Sequence, residues 1–229
     1  MKSTKQIGHM AGVLFLIQFA MGILVKQILL GPGTFDTNFL VDILGNATQL
    51  KISVLLDLLV AVLSVVIAVV LLPVFRQFND GMALLYLSFC IMGFANAAIE
   101  NNSILSLLAM GQEYFPETTH SSYKESLGGL VQERRIWAHY VNLLISALPL
   151  TVLYYVLYRL KLVPRLLSGW GLMSALIMFI NVLWAFFGGG SMLLYAPLGL
   201  AQLSLSLWLV TKGFREPSPK KTITYKAPG

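Results

Sequence analysis

The chain has 229 residues, 57% of them hydrophobic and 11% charged, with a mean hydropathy of +0.76. Soluble domains carry about 25% charged residues, so the composition excludes an ordinary soluble enzyme and points to an integral membrane protein. The 16 Lys and Arg outnumber the 10 Asp and Glu, an imbalance that in a membrane chain reports orientation and lipid headgroups rather than a nucleic-acid partner.

Along the chain, six apolar runs meet the requirement of about 20 helical residues for a 30 Å hydrocarbon core. They cover approximately 8–30, 52–74, 82–110, 136–158, 166–187 and 191–212. They are too long and too continuously apolar for the alternating strands of a barrel, so the predicted fold is all-α, a polytopic bundle of six transmembrane helices. MKSTKQIGHM has the basic start of a signal peptide. The run that follows is long enough to span, contains Gln18 and lacks a small-x-small cleavage site, so it is read as a retained first span.

The first connection, TFDTNFLVDILGNATQL, sets Phe35, Phe39, Leu40, Ile43 and Leu44 at helical spacing, as in a short amphipathic interfacial helix. RQFND is a tight turn between spans two and three. Span three contains Cys90, the single cysteine, which excludes an intramolecular disulfide. The second long connection, about 113–135, opens as a polar loop and then places Leu127, Leu130 and Val131 at the spacing of a second amphipathic helix. GGGS is a tight turn between spans five and six, not a phosphate cradle, because no strand precedes it.

The positive-inside bias sets an orientation. With the N-terminus inside, the inner segments hold Lys2, Lys5, Arg76, Arg159, Lys161, Arg165, Lys212, Arg215, Lys220, Lys221 and Lys226, and the outer ones only Lys51, Lys124, Arg134 and Arg135. Both termini are expected in the cytoplasm. Residues 1–214 read as one transmembrane domain and 215–229 as a flexible basic tail near anionic lipid.

Polar residues inside the runs gather toward the outer half. ANAAIENN places Asn96, Glu100, Asn101 and Asn102 late in span three, where the helix either projects outward or breaks at 100–102. Span four carries Arg135, His139, Asn142 and Ser146 at i, i+4, i+7 and i+11, one helix face. Lys26 ends span one, Ser53 and Asp57 share a face of span two, Asn181 lies in span five and Gln202 in span six. Intramembrane charges cost several kcal/mol and face partners or water. A polar pocket is therefore expected at or just below the outer surface, formed from Glu100, Asp57, Arg135, His139, Asn142, Asn96, Lys26, Asn181 and Gln202.

The residues fit a module that binds a small molecule, lipid or proton, transporter-like or sensor-like. They also fit a membrane enzyme acting on a lipid or quinone-like substrate with Glu100 and His139 as acid and base. In a third reading, an accessory subunit, Lys26 and Asp57 form a structural ion pair and the asparagines are interhelical glue. No HxxxH, HExxH or G-x-S-x-G spacing is present, and neither a metal nor a cofactor is implied.

AGVLFLIQFAMGI, LLPVFRQFNDGMALLYL, LYRLKLVPRLLSGWGLM and LWLVTKGF, spread over about 6–214, together resemble the bacterial membrane proteins of domain-of-unknown-function family 4386. The resemblance implies a bacterial cytoplasmic-membrane protein and carries over no catalytic residue. Its most specific piece, Leu162-Val163-Pro164-Arg165 before Leu167-Ser168-Gly169-Trp170-Gly171, has an architectural reading. Pro164 stops one helix, the cations pin the turn to headgroups, and Ser168 and Gly169 let the next span pack closely.

Overall fold

Backbone groups in a hydrocarbon core must find partners within the chain, and the apolar runs do so as helices. A computed structural model describes residues 3–30, 46–114 and 122–215. Helix α1, Thr4–Ile23, starts from a reciprocal cap: Ser3 Oγ accepts the Gln6 N–H at 3.2 Å and Gln6 Oε1 accepts the Ser3 N–H at 3.0 Å. It runs into a π-helical turn, Leu24–Leu29, closed by the Leu30 N–H on the Val25 carbonyl at 2.9 Å. Then follow α2 (Ala47–Arg76), α3 (Asp80–Tyr114), α4 (Ser122–Leu160), α5 (Arg165–Ala185), a 3-10 turn (Met192–Tyr195) and α6 (Ala196–Lys212).

Six of these segments are long and apolar enough to cross a membrane. The surface agrees. Ile28, Leu55, Met173 and Ile180 are each more than half exposed, while Asp57, Glu100 and Arg135 are buried. That inverts the arrangement of a soluble protein and suits lipid as solvent.

Each helix packs against its neighbour in chain order, and α6 returns to α1, so the six form a closed ring. Residues 30, 46, 114 and 122 and the glycine turn after α5 share one end, the long-loop end. The other carries the short turns after α2 and α4. The main core, with Leu71, Phe75, Leu153, Leu157 and Leu209, fills the short-turn half. A smaller apolar core of Leu50, Val54, Ile104, Leu107 and Leu108 lies at the long-loop end.

Of the two courses open to span three, the structure takes the first: helix α3 is continuous through 100–102 for 35 residues, about 52 Å at 1.5 Å per residue, and so projects beyond the core. The polar side chains there add to the helical ladder without replacing it: Asn101 Nδ2 donates to the Ala97 carbonyl at 2.9 Å and Ser103 Oγ to that of Ile99 at 3.1 Å. Among the described residues, the amphipathic spacing expected as a helix in the second connection, through Leu130 and Val131, belongs to the first turns of the 39-residue α4. The amphipathic helix expected in the first connection, around Phe35 to Leu44, lies outside the described residues, as does the tail beyond 215.

The ring closes on small residues. Gly8, Ala11 and Gly12 of α1 are buried. A Cβ on Gly8 would lie 2.2 Å from the Phe214 nitrogen, and one on Gly12 2.6 Å from the Val210 nitrogen. This G-x-x-x-G seam lets the backbones of α1 and α6 touch, and His9 Nδ1 adds a 3.0 Å contact to the Val210 carbonyl. At the short turns, Asn79 Oδ1 accepts the Met82 N–H at 3.0 Å. The Arg215 N–H donates to the Leu162 carbonyl at 2.8 Å, tying the end of the ring to the buried Leu162-Val163 turn before Pro164.

Replacing Gly12 by Val should lower stability by about 1–3 kcal/mol, since backbone must move to admit the side chain. Gly22→Ala, with nothing within 4 Å of the added carbon, should stay within about 0.5 kcal/mol. Unfolding in mixed micelles measures both, and equal effects would refute the seam.

Candidate functional site

The π turn after α1 widens the helix, with Lys26 in its middle. Lys26 Nζ lies 3.3 Å from Asp57 Oδ2 of α2 and 3.4 Å from Glu100 Oε1 of α3, one ammonium between two carboxylates. Glu100 is saturated: Oε1 also receives His139 Nδ1 of α4 at 2.8 Å, and Oε2 receives Asn142 Nδ2, one turn further along the same face. Asp57 Oδ2 also accepts Asn101 Nδ2 at 2.8 Å. Arg135, fully buried one turn before His139, interacts electrostatically with Glu100.

These residues form one layer. Counting from the short-turn ends, Glu100 is 20 residues past Asp80, His139 is 20 before Arg159 and Asp57 is 19 before Arg76, so each sits about 30 Å up its helix. With His139 neutral, Lys26 and Arg135 balance Asp57 and Glu100, which removes the net charge that would be costly here. An ionised Glu100 requires the imidazole proton on Nδ1, so the carboxylate fixes ring orientation as well as charge. The side-chain exposures are unequal: 33% for Lys26 and 22% for His139, against 8% for Asp57 and 3% for Glu100. Lys26 and His139 border open space together with the less exposed Asp57, and Glu100 lies behind them.

That open space is a cavity of about 450 Å³ inside the ring, lined by every helix except α5. Lys26, Asp57, His139 and Asn142 line its polar end. Phe15, Phe19, Phe89, Phe94 and Leu143 supply apolar wall, and Ser64, Tyr86, Cys90 and Leu150 line it further toward the short-turn end. The small long-loop core, with Leu30 and Val131 against it, lies on the other side of the polar layer. Of the two placements expected for the pocket, at the outer surface or just below it, the arrangement resembles the second: the cavity lies beneath the layer, and α2 and α3, with Val131 of α4 against them, cover the layer on the long-loop side with aliphatic side chains.

Of the residues expected in the pocket, Lys26, Asp57, Glu100, Arg135, His139 and Asn142 come together, and Gln202 joins the cavity wall from α6. Asn181 does not belong there. Its Nδ2 donates to the Ser191 carbonyl at 3.1 Å and its Oδ1 accepts the Ser191 N–H at 3.0 Å, so it clamps the glycine turn after α5. Asn96 is buried beside the site, but it does not line the cavity.

The sequence reading missed Gln18, Gly22, Ser64, Tyr86 and Gly93. Gln18, Gly22 and Lys26 recur at i, i+4 and i+8, and Tyr86, Cys90, Gly93, Ala97 and Glu100 follow a similar stripe on α3. A face of small and weakly polar residues leading to a charge was the available signal. Among the described residues no group of three or more His, Cys, Asp or Glu is placed to hold a metal ion.

Glu100→Ala removes the acceptor for Lys26, His139 and Asn142 together and should cost about 3–5 kcal/mol, the usual loss when a buried pair is broken. Glu100→Gln, which keeps one acceptor oxygen, should cost less. Asn181→Ala should cost about 1–3 kcal/mol through the two turn groups it leaves unpaired. Unfolding in mixed micelles ranks the three, and a silent Glu100→Ala would dismiss the layer as a source of stability.

No curated protein and no solved structure matches the chain. The family model described as domain of unknown function (DUF4386) matches residues 10–213, nearly the whole ring of helices. The chain therefore belongs to the DUF4386 family.

Proposed function

We propose that this multi-pass membrane protein binds a small amphiphilic molecule or lipid inside its helix ring, as a transporter-like or sensor-like module. One observation carries the reading: the cavity has largely aromatic and aliphatic walls, and its charged and imidazole groups, Lys26, Asp57 and His139, gather with Asn142 at one end, whereas the polar side chains elsewhere on the wall, such as Gln18, Ser64, Tyr86 and Gln202, carry no charge. Its volume falls in the range of about 300–1,000 Å³ typical of ligand sites. A purely structural bundle would gain contacts by filling that space. Instead Gly93 lines the cavity, and a Cβ there would meet nothing within 4 Å.

The orientation proposed with this function puts the short-turn end in the cytoplasm. Lys5, Arg76, Arg159, Lys161, Arg165, Lys212 and Arg215 belong to that end, and the Arg159 and Arg165 guanidiniums lie over the rings of Tyr155 and Tyr158. Cations there suit anionic headgroups. The polar end of the cavity then lies in the outer leaflet.

Native mass spectrometry of the purified protein should detect a bound amphiphile, and Gly93→Phe should reduce its occupancy about tenfold by filling the cavity. Equal occupancy in a Gly93→Phe protein of unchanged stability would exclude the cavity as the site. An accessory-subunit role predicts that this substitution has no effect on binding.

A further inference from the structure

We infer that the cavity takes a single-chain amphiphile with an anionic head, bound together with one proton. The inference rests on the amphiphile-binding reading above and adds the sign of the head group. The charges of the polar layer are not presented equally. Lys26 is the most exposed at 33%, whereas the carboxylates of Asp57 and Glu100 are at 8% and 3%. A cationic head would meet the ammonium before it met a carboxylate, and those carboxylates are already occupied by Lys26, His139, Asn142 and Asn101.

An anionic head meets donors. Lys26 carries three protons and directs two toward carboxylates at 3.3 and 3.4 Å, long contacts for a charge-assisted bond. It can therefore turn toward a further acceptor at little cost. Behind the head, Phe15, Phe19, Phe89 and Phe94 offer apolar wall for one chain.

Charge balance brings in the proton. Lys26 and Arg135 offset Asp57 and Glu100, so an anion entering this low-dielectric layer leaves one uncompensated negative charge. His139 can remove it, because imidazole is the side chain that gains charge near neutral pH and its Nδ1 already sits 2.8 Å from Glu100 Oε1. The charged groups facing it are Glu100 on α3, Lys26 on the π turn, Asp57 on α2 and Arg135 on its own helix, with no titratable side chain of α5 at this level. Because the anion binds together with a proton, its affinity falls as pH rises.

The test uses probes whose charge does not vary with pH: radiolabelled hexadecanesulfonate, hexadecanol and hexadecyltrimethylammonium. Each is measured for retention by the protein in nanodiscs, with Gly93→Phe nanodiscs as background. The expected result is a preference for the sulfonate of about tenfold or more, the scale of a hydrogen bond to a charged group, which weakens severalfold between pH 6 and pH 8. That pH dependence should disappear in His139→Gln. Lys26→Arg should keep the preference, and the charge-balanced pair Lys26→Gln with Glu100→Gln should lose it, which separates charge from folding.

Equal retention of all three probes, each lost in Gly93→Phe, would overturn the anionic head and leave the cavity reading standing. Preference for the ammonium probe, or a sulfonate preference that does not change with pH, would overturn the proposal in the same way. Retention of no probe above background would overturn both readings.

Discussion

The Glu100 carboxylate is the constraint around which the rest of the bundle is arranged. An ionised carboxyl in an apolar bundle is tolerated only with cations and donors on its oxygens. Glu100 obtains them from a π turn, from α4 twice and, more diffusely, from Arg135. No single helix could supply that set. α1 reaches it only through the turn at Leu24–Leu29, α2 only by giving Lys26 a second carboxylate in Asp57, and α4 only by stacking Arg135, His139 and Asn142 on one face. The register of four helices is thus fixed at one height by hydrogen bonds, which are directional, while the remaining contacts are apolar and would tolerate sliding.

Ring closure is handled at the opposite end by a different force. In lipid, apolar side chains gain nothing by leaving solvent, so helix association relies on close packing. Gly12 brings α1 against α6 backbone to backbone at Leu209 and Val210, and Gly8 brings it against Gly213 and Phe214 just past the end of α6. The ring is therefore held tightly at its short-turn end and by charge at the polar layer. Between these two the helices line a cavity. A bundle fixed at two levels can keep open space in the middle without collapsing, because the levels set the helix separation.

Much of this was legible in the sequence, and the exceptions have identifiable causes. Hydropathy located the six spans because a bilayer imposes length and apolarity on each segment separately. The i, i+4, i+7 spacing from Arg135 to Asn142 revealed a shared face because it is a property of one helix. The meeting of that face with Glu100 and Lys26 is a relation between helices, and helical register alone does not state it. Asn181 misled because an amide within a span reads the same whether it serves a pocket or a turn. Only the position of Ser191, ten residues on across a glycine turn, decides between them. The π turn left no mark either, since LVKQIL has no residue that excludes an α-helix, and Lys26 reaches both carboxylates only in the assembled ring.

The arrangement above and below the polar layer gives the site a direction. On the long-loop side Leu50, Val54, Ile104, Leu107 and Leu108 pack together, with the buried hydroxyls of Ser53 and Ser103 bonded to carbonyls of their own helices, while on the other side the layer faces the cavity. Under the proposed function, a molecule arriving through the bilayer would present its chain to the apolar walls and its head to Lys26 and His139. The asymmetry follows from helix length: α3 runs about 20 Å past Glu100 toward the long-loop end, far enough for Ile104, Leu107 and Leu108 to meet Leu50 and Val54 of α2 and Val131 of α4. Helices that run on past the polar layer thus leave it covered by aliphatic side chains on one side and facing the cavity on the other.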